Sequence, residues 1–299
     1  MKNALPALAL LFGCLAGPAV AEAHSLSPTL DKIRQSGEIA IGYRESEPPF
    51  AYTDTDGSII GFSIDLCQRV VDKVRESLGR PDITVRYVPA TPATRFILVK
   101  SGMIDLECAA TTNNAERREM VGFSYPHFMT ASRFVSRRAD NIETLEDLAG
   151  RSVASASGTV NIDQINAVNR ERRLNIAVIP TKTNDEAFDL VAHGRAAAFV
   201  MDDILLAAKI AASPDPDDYV LSTVTLSAPE PYGLLLRHGD APFKTLVNDT
   251  LAEIYTSGQI EQLYAKWFTS PIPPNGINLN LPLSPQLAEA FSHPVEYLE

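Results

Sequence analysis

TRFILVKSGMIDLECAATTNNAERR, residues 94–118, changes its hydrophobic period twice. TRFILVKSG has the spacing of a helix, and MIDLECAA at 103–110 reads as a short apolar strand. TTNNAERR then supplies hydroxyls, amides and charge where the strand runs out. Asn113 with Glu116 three residues on has the spacing of a capping box, which starts a helix there with free N–H groups beside the strand end. Small ligands bind open α/β sheets at such places, outside the carboxyl ends of strands.

Working outward, GEIAIGYR at 37–44 reads as a strand, IDLCQRVVDKVRESLG at 64–79 as a helix with a glycine stop, and ITVRYVPA at 83–90 as a second strand. With residues 94–110 the order is βαβαβ, the pattern of parallel strands with helical crossovers. The order then recurs. RSVASASG at 151–158, NIAVIPT at 175–181 and RAAAFVMDD at 195–203 read as strands, separated by the helical VNIDQINAVNRERR and DEAFDLVAHG. LVKSGMIDLEC at 98–108 aligns with LVAHGRAAAFV at 190–200, each with Leu-Val, two residues, a glycine and a strand. A match this short is weak alone, but with the same element order it indicates two similar α/β lobes.

FMTASRFVSRR at 128–138 is extended and lacks helical spacing, as does APEPYGLLLRHGD at 228–240. After the latter, TLVNDTLAEIYTSGQIEQLYAKWF resumes a helical period. Two crossings make a hinge of paired strands. Lobe 1 is expected over 30–130 and 232–299, and lobe 2 over 131–231.

The chain has 299 residues, 45% hydrophobic and 21% charged, a globular composition with length for two modest domains. A net charge of −11 argues against a nucleic-acid partner, since neutralising phosphates needs a concentrated excess of Lys and Arg. The first residues give Lys2, an apolar stretch from Ala4 to Ala16, then Ala19 and Ala21 in an A-V-A pattern, so 1–21 reads as an export signal. A lipoprotein box ending at Cys14 competes with it, although Phe12 fits that box poorly. No later run reaches the roughly 20 apolar residues of a membrane span. Cys67 and Cys108 are not spaced as metal ligands, and spacing does not decide between pairing and burial as small apolar side chains.

No phosphate loop, H-E-x-x-H, C-x-x-C, G-x-S-x-G or S-x-x-K is present. The five histidines are scattered and read as loop or surface residues, so neither a cofactor nor a metal is expected. Thr112 and Arg117 read as a carboxylate clamp, because a guanidinium fork matches a carboxylate and helix N-termini favour anions. The plainer reading is an ordinary cap with a surface arginine.

Four stretches carry a resemblance: GYRESEPPFAYTDTDGSIIGFSIDLC (42–67), the opening segment, AAFVMDDILLA (197–207) and KWFTSPIPP (266–274). In order and spacing the chain, from about Leu30 to its tail, resembles the periplasmic substrate-binding proteins of polar amino-acid ABC transporters, and within them the glutamate/aspartate-binding branch. The resemblance implies two α/β lobes of the type II kind, a monomer, an amino-acid ligand and an inner-membrane ABC permease as partner. It also implies that Arg117, Thr112 and Thr159 hold the ligand carboxylate, that Asp202 accepts its ammonium, and that Arg44 and Arg95 face its side chain. Plainer roles stand beside these. Asp202 or Asp203 would cap the helix ILLAAKIAA, and Arg44 would pair with Glu45 or Glu47 at the surface. In the family the PPFAY stretch often stacks on the ligand, so Phe50 or Tyr52 is expected to contact it, with core aromatics as the plainer reading. Where the branch has serines near the ligand this chain has Pro92 and Ala110, and where it has a histidine, Asn184. These departures leave the exact ligand open among acidic, amide and derivative forms. A periplasmic lyase resembling cyclohexadienyl dehydratase and a ligand-sensing module are the alternatives. For the lyase no proton donor stands out: Glu107 precedes the cleft segment and reads as readily as an outward strand residue.

Overall fold

A computed structural model describes residues 27–298; the proposed signal at 1–21 and Cys14 lie outside the described residues. Two five-stranded sheets are laid out alike. In the first, the strands run in the order Thr84–Pro89, Glu38–Tyr43, Leu106–Glu107, Leu235–Leu236, Gly122–Phe123. In the second they run Ala177–Thr181, Ser152–Ala156, Ala198–Asp202, Ser132–Arg137, Tyr219–Leu221. Each sheet begins with three parallel strands and ends with antiparallel ones. The LVKSG and LVAHG segments occupy equivalent turns. Gly102 and Gly194 have φ of +73° and +68°, and each lies against a guanidinium, that of Arg237 and Arg137 respectively.

The helices follow the apolar spacing. Phe62–Leu78 buries Phe62, Leu66, Val70 and Val74, one per turn, and ends where Gly79 takes a left-handed conformation. The strand expected over 103–110 is shorter, because only Leu106 and Glu107 find partners on both sides; the chain then turns toward the second lobe. The C-terminal helical segment is divided into Ala241–Thr256, Gln259–Tyr264 and a wide turn at Ala265–Thr269.

Between the sheets, Phe128–Thr130 pairs antiparallel with Glu230–Tyr232, in the register Tyr232↔Phe128 and Glu230↔Thr130. This two-stranded link is pinned by an aromatic knot. Phe50 lies 5.0 Å from Phe128, 5.3 Å from Tyr232 and 5.7 Å from Phe268 between ring centroids. His127 belongs to the same knot, fully buried beside Phe62, with Nε2 3.0 Å from Ser63 Oγ. His127 lies in a connecting segment, just before the strand Phe128–Thr130, but it is buried and not at the surface. Burial lowers its pKa to about 3, so the ring is neutral at ordinary pH. Cys67 and Cys108 form a disulfide that ties the helix Phe62–Leu78 to the end of the strand Leu106–Glu107. Among the described residues no helix is long and apolar enough to cross a membrane.

Candidate functional site

The carboxyl ends of the parallel strands in both sheets face one cleft, and polar side chains collect there. From the first lobe, Arg44 follows the strand Glu38–Tyr43 and Arg95 opens the helix Arg95–Lys100. Arg117 sits on the single turn Ala115–Arg118, whose cap is Asn114, accepting from the Arg117 N–H, and not Asn113. From the second lobe, Thr159 caps the helix Val160–Arg172, Asn184 begins the helix Asn184–Ala192, and Asp202 ends its strand. Seven of the eight residues proposed from sequence, Arg44, Arg95, Ala110, Thr112, Arg117, Thr159 and Asp202, line one inner cavity of about 10 Å³. That is room for roughly one water, so the lobes must part to admit anything larger. The eighth, Asn184, stands behind the wall and donates from Nδ2 to Glu47 Oε1 over 3.1 Å. Arg117, Thr159 and Val160 also line an outer cavity of about 430 Å³ between the lobes.

Arg44, Arg95 and Arg117 are 5%, 3% and 6% exposed, a concentration of buried cation that requires counter-charge. Arg44 pairs with Glu47 at 2.7 Å, and both side chains are buried, which corrects the surface pairing considered from sequence. Arg95 donates to Pro92 O at 2.6 Å and to Gly158 O at 3.2 Å. Arg117 donates to Thr112 O at 2.9 Å and to the same Gly158 O at 3.2 Å. Two cations of the first lobe thus share one carbonyl of the second. Phe96 lies against both, its ring centroid 4.6 Å from the Arg95 guanidinium carbon and 5.2 Å from that of Arg117. Desolvation, reinforced by Arg117 and Arg44, pushes the Arg95 pKa well below its usual value, and desolvation also lowers that of Arg117.

Asp202 occupies the cap position of the helix Asp203–Ala212, yet its side chain makes no cap hydrogen bond. It turns instead into the cleft, where Asn161 Nδ2 donates to Oδ1 at 2.8 Å and the Tyr232 hydroxyl donates to Oδ2. Burial raises its pKa to about 6 against the opposing effect of those two donors. Asp203 takes the local role, accepting from Ile204 N and Thr130 Oγ1 at 2.7 Å each. Glu107 is fully buried rather than outward, accepts from Thr111 Oγ1, and does not line the inner cavity. Phe50 and Tyr52 are core residues and line neither cavity, which corrects the ligand contact expected of one of them; the Tyr52 hydroxyl donates to Pro273 O.

Chemically, the cleft matches a zwitterion. Arg117 and the free N–H groups at the start of the helix Val160–Arg172 suit a carboxylate, while Asp202 suits an ammonium. Sequence reasoning missed Asn161 and Phe96, and it placed Glu47 at the surface. Asn161 had one signal, its position two residues past the Thr159 cap. Among the described residues no His, Cys, Asp and Glu cluster could hold a metal ion.

Two open α/β lobes with a charged site between their strand ends are the architecture of a two-lobed ligand-trapping protein. The chain belongs to the bacterial extracellular solute-binding proteins, family 3, whose family model matches residues 39–270. It is 39% identical over 289 residues to an L-glutamate/L-aspartate-binding protein of Pseudomonas aeruginosa, covering 96% of this chain and 95% of that one. It is 36% identical over 298 residues to a glutamate/aspartate import solute-binding protein of Escherichia coli, covering 98% of each. Among solved structures, the P235GK mutant of ArgBP from T. maritima superposes with a TM-score of 0.71 at 27% identity, covering 80% of this chain and 98% of that one.

Proposed function

We propose that this chain is an exported, periplasmic monomer that binds an acidic or related polar amino acid between its lobes and delivers it to an inner-membrane ABC permease. The observation that carries the reading is the opposition of Arg117 and Asp202 across one buried cleft, both lining the same cavity. Arg117, with Thr112 and Thr159 beside it, takes the α-carboxylate, and Asp202 takes the α-ammonium. Arg44 and Arg95 face the side chain. The relatives named for glutamate and aspartate support the ligand class. The disulfide supports an oxidising compartment.

Closure is the mechanism. The segments 128–138 and 228–240 act as the hinge between lobe 1 (30–130 with 232–299) and lobe 2 (131–231). A ligand that touches both lobes stabilises the closed form, and the permease reads the surface that closure creates. The test is thermal unfolding with a panel of acidic and amide amino acids. A ligand at a hundred times its Kd stabilises by about 2.7 kcal/mol, which at this size raises Tm by roughly 5–10 °C. No shift with any member of the panel refutes the reading.

A further inference from the structure

Glu47 is the one acid among the residues lining the side-chain end of the inner cavity, where Arg44, Arg95, Pro92 and Ala110 also lie. It is 4% exposed. Its Oε1 is engaged twice, by Arg44 at 2.7 Å and by Asn184 Nδ2 at 3.1 Å. Its Oε2 is buried and has no hydrogen-bond partner. On the opposite account, Arg95 has both terminal nitrogens on backbone carbonyls and only Nε unpartnered. At the end of the site that meets the ligand side chain, Arg44 is thus matched by Glu47, and the buried polar atoms left without a partner are two acceptors, Glu47 Oε2 and Asn184 Oδ1 next to it, and one donor, Arg95 Nε.

Resting on the amino-acid reading above, we infer that Glu47 makes the site selective for an amide side chain, that of glutamine or asparagine, over the corresponding acid. An amide N–H₂ donates to Glu47 Oε2 while the amide oxygen accepts from Arg95 Nε, so those two orphaned groups are satisfied. A carboxylate has no proton to give Glu47. It would set one anion against another and leave Oε2 unpaired, the arrangement that a polar site rejects most strongly. A side-chain ammonium would satisfy Glu47, but it would meet the Arg44 and Arg95 guanidiniums and have nothing to offer Arg95 Nε. Arg44 is neutralised within the protein, so it does not argue for an acidic ligand. Its role is to hold Glu47 in place.

The test is calorimetric titration of the full mature chain at neutral pH with glutamine, asparagine, glutamate, aspartate and lysine, repeated on Glu47→Gln and Glu47→Ser. Competition of glutamine against glutamate on the unaltered protein needs no variant to fold. The expected result is an amide bound at least tenfold tighter than its acid, with that ratio falling at least tenfold in either variant. Tighter binding of the acid, tighter binding of lysine, or a ratio unchanged in a folded variant overturns the inference and leaves the amino-acid reading standing. Binding of none of the five overturns both.

Discussion

A methyl group at Gly158 should hold the lobes apart. Gly158 has φ of +82°, and a Cβ there would lie 2.7 Å from Pro92 O and 2.8 Å from both Pro92 C and Ala93 Cα. These are backbone atoms of the other lobe, which cannot swing aside as a side-chain tip would. Restoring an ordinary contact near 3.4 Å moves the surfaces apart by about 0.7 Å. The two arginine hydrogen bonds to Gly158 O, now 3.2 Å each, would stretch to roughly 3.9 Å and cease to be hydrogen bonds. Bonds to charged groups contribute about 1.5–3 kcal/mol each, so Gly158→Ala should cost the closed state roughly 3–6 kcal/mol, and Kd should rise by about two orders of magnitude or more. The left-handed backbone adds a cost of about 1–2 kcal/mol, but to open and closed forms alike. Gly150→Ala separates the two effects, since Gly150 has φ of +71° with nothing within 4 Å of its added Cβ. Both variants should lose a few degrees of Tm without ligand, and only Gly158→Ala should lose affinity in calorimetry. A Kd for Gly158→Ala within threefold of the unaltered protein refutes the argument.

Three further outcomes are expected. Asp202 has its pKa raised from 3.8 to about 6, so its protonated form stabilises the unliganded fold fully below pH 3.8 and that contribution, about 3 kcal/mol, is lost as pH rises through 6. An ammonium ligand reverses the preference, so binding at pH 5 should release close to one proton, seen as buffer-dependent heats that vanish in Asp202→Asn; equal heats in all buffers would count against the pairing. The Cys67–Cys108 disulfide closes a loop of 41 residues, worth about 4 kcal/mol by chain entropy, so Cys67→Ser with Cys108→Ser should lower Tm by on the order of 10 °C in calorimetry. Arg117→Ala should abolish binding of every α-amino acid, whereas Arg44→Ala should change the order of preference among side chains; equal losses for all ligands would undo the assigned division.

The fold was legible because period and punctuation agree: Gly79, Gly102 and Gly194 stop helices where the pattern says they should, and the βαβαβ order repeats. The strand at 103–110 was overread because periodicity reports apolar residues, whereas ladder pairing depends on partners distant in the chain, Leu235 and Leu236. The same limit explains His127. Its burial comes from Phe50, Phe62 and Tyr232, three elements that no local window joins. Of the cleft arginines, Arg117 stood out because it follows a strand end at a helix start, whereas Arg44 and Arg95 were marked only by the family resemblance. Glu47 did not stand out, since an Arg–x–x–Glu spacing looks identical at a surface and in a buried site; only Asn184, 137 residues away, shows which it is.

All three cleft arginines belong to the first lobe, and the second contributes hydroxyls, amides, a helix N-terminus and Asp202. That division sets an order of events. When the lobes part, the cations are uncovered together on one face, so a solute's carboxylate lands there first and electrostatic attraction governs its arrival. The second lobe arrives afterwards and finds the solute already oriented. Capture should therefore slow with added salt, while escape, which requires breaking the contacts of the late-arriving lobe, should depend on salt far less.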